Sequence, residues 1–142
     1  MKRKFVFLLL SIVLCILAGC SNKPETVNAQ IEGSFCAMVR DVIPDYCLDD
    51  FTPQVAVVTE FQCSPYTVYL GENLASEVEP GKAYVFTIEA KEIGEISEEL
   101  LDDYINPAKA LYEYNVRIES IRPAEEGEWG LEGTVLKYSI AE

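Results

Sequence analysis

The chain has 142 residues, with 24 acidic side chains against 11 Lys and Arg, a formal net charge of −13 and no histidine. The acidic balance argues against nucleic acid, whose phosphates must be met by Lys and Arg, and against adsorption to anionic lipid head groups. The missing histidine removes the commonest general base, metal ligand and partner of a nucleophilic Ser or Cys, so a non-enzymatic reading leads.

In chain order, Lys2, Arg3 and Lys4 come first, followed by an apolar run over residues 5–16 broken only by Ser11. This run is shorter than the roughly 20 residues a spanning helix needs, and the chain turns polar immediately after Cys20. A basic head, a short apolar stretch and small residues are the order of a secretory signal. Leu17-Ala18-Gly19-Cys20 resembles the lipobox of bacterial lipoproteins, over residues 1–20 only. The resemblance implies that the Cys20 thiol receives a diacylglyceryl group and that cleavage falls between Gly19 and Cys20. It implies a location on the outer face of the cytoplasmic membrane or in an outer membrane, with the bilayer as partner. Each buried methylene contributes about 0.8 kcal/mol, and stable anchoring takes two signals; with no polybasic patch here, the two acyl chains must supply both. The mature chain would have 142 − 19 = 123 residues, with 8 Lys and Arg against 24 acidic residues, a net of 8 − 24 = −16.

Residues 20–33 are polar, lack aromatics and carry Pro24 and Gly33, so they read as the lipidated N-terminus and a flexible tether. A single domain is expected over residues 34–142. Period-two apolar alternation predicts strands over 35–42, 54–62, 66–70 and 82–91. Val55, Val57, Thr59 and Phe61 share one face of the second, and Tyr84, Phe86, Ile88 and Ala90 one face of the fourth. Tyr66 and Tyr69 fall on opposite faces of the third. Pro80-Gly81 is a turn signal. Ser97 with Glu98 and Glu99 predicts a helix start, with Leu100, Leu101, Tyr104 and Ile105 on one face and Asn106-Pro107 at its end. Strands return around Tyr114, Val116 and Ile118 and over 133–140, where Thr134, Leu136, Tyr138 and Ile140 face inward. The order predicts a mainly β fold: a small OB-like antiparallel barrel of five to six strands with one helix plugging an end. An immunoglobulin-like β-sandwich is the alternative.

Candidate sites are few. Trp129 lies among Glu125, Glu126, Glu128 and Glu132, flanked by Gly127 and Gly130. Trp129, Glu126 and Glu128 could present an aromatic face and carboxylates to a sugar, peptide or cation; alternatively the indole folds back over the barrel mouth as a lid. Cys36 and Cys47 could close a short disulfide loop contributing about 3 kcal/mol, or Cys36, Cys47 and Cys63 could be small buried side chains. No Cys-x-x-Cys spacing supports a zinc site. Asp45, Asp49 and Asp50, and Glu98, Glu99, Asp102 and Asp103, are acidic clusters, but calcium wants six to eight oxygens in a shaped loop, and a solvated face is the simpler reading. No cofactor is expected. The expectation is a lipid-anchored, non-enzymatic binding module for an envelope protein or polymer. The alternative is a ligand- or divalent-cation-binding sensor lipoprotein using the acidic loops.

Overall fold

The computed structural model describes residues 23–47, 53–129 and 133–142. The signal, Gly19 and Cys20 lie outside them, as do Asp49 and Asp50 and the side chains of Asp45 and Cys47. The described strands are β1 (Thr26–Glu32), β2 (Ser34–Cys47), β3 (Pro53–Phe61), β4 (Ser64–Leu70), β5 (Ala83–Ile88), β6 (Lys91–Ser97), β7 (Ile118–Pro123) and β8 (Lys137–Ile140). A four-residue helix, α1 (Glu72–Ala75), follows β4. No helix among the described residues is long and apolar enough to cross a membrane.

The strands form two antiparallel sheets, one of three strands in the order β6-β1-β8 and one of five in the order β4-β3-β2-β5-β7. Of the four connections between described strands that pass from one sheet to the other, two are very short. A single residue, Gly33, separates β1 from β2, and Glu89-Ala90 separates β5 from β6. Such corners are the ordinary means by which a strand changes sheets. At the first corner the backbone takes φ +118°, and a Cβ on Gly33 would collide with the Val135 carbonyl oxygen. Only glycine fits this approach. Hydrogen bonds from the Ile88 amide to the Gly33 carbonyl (3.0 Å) and from the Val135 amide to the Ser34 carbonyl (2.8 Å) bind the corner together.

The core lies between the sheets. Ile31 and Tyr138 reach it from the three-stranded sheet, and Phe35, Val57, Val68 and Phe86 from the five-stranded one. Phe35 stacks on Phe86 at 5.2 Å and tilts against Tyr66 at 6.1 Å. Burying each such side chain contributes about 1.5–3 kcal/mol. Thr59, fully buried on β3, donates its hydroxyl to the Tyr66 carbonyl at 3.2 Å.

Several expectations are corrected here. The mainly β class holds, but the sheets do not close into a barrel. The outer edge of β4 is met by a side chain, since the Tyr112 hydroxyl accepts from the Thr67 amide (2.6 Å) and donates to the Thr67 carbonyl (3.3 Å). The edge strand β7 ends in Arg122 and Pro123, and proline offers no amide for a further partner. The immunoglobulin alternative pairs strands in the orders ABED and CFG, which these sheets do not follow.

The flexible stretch expected over residues 20–33 does not extend through residues 26–32. Residues 26–32 are the central strand of a sheet, with Ala29 and Ile31 buried. The helix expected from Ser97 is a single 3-10 turn, Glu98–Leu100. Beyond it Asp102 adopts φ +63°, and the amides of Asp102 and Ile105 donate to the Tyr138 and Leu136 carbonyls at 3.0 and 2.9 Å. Pairing along β8 thus outcompetes the helical ladder. A π-helical turn, Lys109–Glu113, comes after Pro107 instead. Ile140, expected to face inward, is 60% exposed.

Candidate functional site

Alternation along β2 sends Phe35, Ala37 and Val39 into the core and turns Cys36, Met38 and Arg40 to the opposite face. On β3, Val57, Thr59 and Phe61 are buried, so Glu60 joins that outer face, directly across from Met38. Arg40 and Glu60 form an ion pair there. Beside them the chain leaves a groove of about 710 Å³, whose lining includes Met38, Arg40, Glu60, Phe61, Cys63 and Trp129.

The groove has two built ends. At one, the β3–β4 hairpin turns through Gln62 and Cys63, with φ of +49° and +63°. Two residues with positive φ make the tight turn that suits strand twist, a role usually given to Asn-Gly. At the other, Pro80-Gly81 delivers the Gly81 amide to the Val39 carbonyl at 2.8 Å, and the Val39 amide donates to the Lys82 carbonyl at 2.9 Å.

Trp129 is set by the loop after β7. Both guanidinium nitrogens of Arg122 donate to the Glu128 carboxylate, at 2.6 and 2.7 Å. The same carboxylate accepts the Glu125 amide at 2.7 Å, and the Glu128 amide donates to the Glu125 carbonyl at 3.2 Å. Those hydrogen bonds, the Arg122 fork first, lower the Glu128 carboxyl from 4.5 to about 2. Where the loop returns, a Cβ on Gly133 would collide with the Glu128 carbonyl oxygen and come within 2.9 Å of the Cys36 Cβ. The Cys36 amide donates to the Thr134 hydroxyl at 3.3 Å. The returning loop therefore packs over β2, and Trp129 stands at its margin, 55% exposed.

The three residues expected to bind have separate fates. Trp129 lines the groove. Glu128 is committed to Arg122 and the loop backbone rather than presented to a ligand. Glu126 is exposed on the turn and does not line the groove. The lid alternative for Trp129 fails with the barrel, since there is no mouth to cover. Cys36 and Cys47, expected as a possible disulfide, both fall within the one strand β2, and eleven residues of strand separate their backbones by on the order of 30 Å, well beyond the Cα separation a disulfide spans. The groove wall of Met38, Arg40 and Glu60 was not anticipated; the signal for it is the polar-side alternation of β2 and β3.

Other sites are less developed. Among the described residues no three carboxylate or thiol groups converge as metal ligands. Glu98, Glu99 and Asp103 are exposed, and Asp102 pairs with Lys137 at 2.8 Å. The Lys109 ammonium lies 5.6 Å from the Tyr114 ring centroid and 6.0 Å from that of Tyr138. These two tyrosines pack edge to face with their hydroxyls 3.3 Å apart, so a cation of the chain already occupies that aromatic corner. A second cavity, of about 550 Å³, lies where Tyr112 meets the β4 edge. No protein-family model matches this chain, nor does any curated protein or solved structure.

Proposed function

We propose that this protein is a lipid-anchored, non-enzymatic binding module of the bacterial envelope, held to the membrane through Cys20 and engaging a protein or envelope polymer at the Trp129 groove. The observation that carries the reading is a half-exposed indole, next in the chain to a bidentate Arg122–Glu128 ion pair, at the margin of a groove whose lining includes Met38, Arg40 and Glu60. Exposed aromatic side chains with an apolar body and a polar tip are favoured contact residues. Arg40 and Glu60 add one group of each sign to the wall, where they can orient a polar or basic segment. With a net charge of −16 on the mature chain, self-association is disfavoured, and a neutral or basic partner is favoured.

Two experiments divide the proposal. Cys20→Ala is expected to leave an unprocessed, unacylated precursor; a mutant that still partitions as a mature lipoprotein would remove the anchor. For the groove, a photoreactive amino acid placed at Met38 in native membranes should give a discrete adduct that Trp129→Ala abolishes. The same residue placed at the exposed Glu72 should not. Equal capture from both positions, or from neither, would remove the groove as the binding site.

A further inference from the structure

We propose that the end of the three-stranded sheet where β1 begins and β6 ends faces the bilayer, so that the domain stands directly on a zwitterionic head-group layer. This rests on the reading of Cys20 as the lipid-bearing residue. Because β1 starts at Thr26, only residues 21–25 separate the anchor from the sheet, and the last of them is already fixed: the Glu98 amide donates to the Glu25 carbonyl at 2.9 Å. The five steps from Cys20 to Glu25 span at most about 18 Å. The domain cannot be lifted clear of the membrane surface or turned over on such a leash.

The chain also shows what this end presents. After β6 it leaves this end, running from Glu98 beside Glu25 to Asp102, whose amide donates to the Tyr138 carbonyl on the opposite flank, level with Ile31. The Ala141 amide donates to the Asn28 carbonyl at 3.0 Å and brings Glu142 to the same end. Glu25, Glu98 and Glu99 line a surface hollow together with Lys23, and all three carboxylates are exposed. Anionic lipids would repel this surface within a Debye length of about 8–10 Å, whereas zwitterionic lipids would not. Placement is then imposed by tether length rather than by attraction.

The test uses the full lipoprotein in phosphatidylcholine vesicles doped with a head-group spin-labelled lipid. Trp129 is the single tryptophan, so a Trp129→Phe background allows one indole to be placed at will. Glu99→Trp marks the proposed membrane end. Glu89→Trp marks the opposite end of the same sheet, next to the Gly33 corner where the Ile88 amide meets the Gly33 carbonyl, about 23 Å of strand from Thr26. Quenching several-fold stronger at position 99 than at 89 is expected, as is its loss when a long Gly/Ser insert is placed before Lys23. Equal quenching at both positions, or quenching that survives the insert, overturns the orientation. Failure of the protein to float with the vesicles overturns the anchor itself.

Discussion

At position 33 an alanine would have to hold φ near +118° while its Cβ pressed on the Val135 carbonyl. Strain and overpacking each cost about 1–3 kcal/mol, so Gly33→Ala should lower stability by about 3 kcal/mol or more in urea unfolding. Gly94 offers the control: its φ is +88° but nothing lies within reach of a Cβ, and Gly94→Ala should cost only about 1–2 kcal/mol. Equal losses would mean the corner at 33 is not tightly closed. Trp129→Ala removes a half-exposed side chain and should shift stability by no more than about 0.5 kcal/mol while abolishing capture from the groove; a loss of several kcal/mol would mark the indole as a packing residue. The Glu128 latch has a defined acid sensitivity. Its folded carboxyl is lowered from 4.5 to about 2, so its contribution is full above 4.5 and is lost as pH falls through about 2. Trp129 emission should change across that window, and Glu128→Gln should flatten the change; a profile unaltered by the substitution would show that the latch does not set the indole.

At the scale of elements, β1 is the decisive one, because the chain composition there resembles a linker and the structure makes it the middle of a sheet. Val27, Ala29 and Ile31 do alternate with Asn28, Gln30 and Glu32, so the period was present. What it lacked was local support, since its partners β6 and β8 lie some 60 and 110 residues away in sequence. The 97–105 segment failed for the converse reason. Leu100, Leu101, Tyr104 and Ile105 fit a helix by spacing, but the carbonyls of Leu136 and Tyr138 offered the backbone a better partner. Strands with strong alternation were legible: Tyr84, Phe86 and Ile88 are buried, and Tyr66 and Tyr69 do lie on opposite faces. Of the site, Trp129 was legible as a lone indole between glycines, while the groove wall was not, because Met38 and Glu60 meet only through the β2–β3 register. Ile31→Ala tests the revised boundary. Ile31 is fully buried, and the change should cost about 2–5 kcal/mol, whereas in a tether it would cost nothing measurable in a denaturant titration.

The molecule as a whole is an acidic two-sheet domain with a groove on the outer face of the larger sheet, and the proposed anchor, Cys20, precedes the smaller sheet by only a few residues. On the proposed anchoring, the acidic charge disfavours self-association and hydrophobic burial of the acyl chains would hold the domain to the envelope, so that a partner would meet the groove at the membrane surface. That proposal depends on Cys20, and mass analysis of the N-terminal peptide of the exported protein reads its state directly. The expected peptide begins at Cys20 and carries the diacylglyceryl mass on its sulfur. A peptide with a bare Cys20 thiol, or one still joined to residues 1–19, would contradict the account.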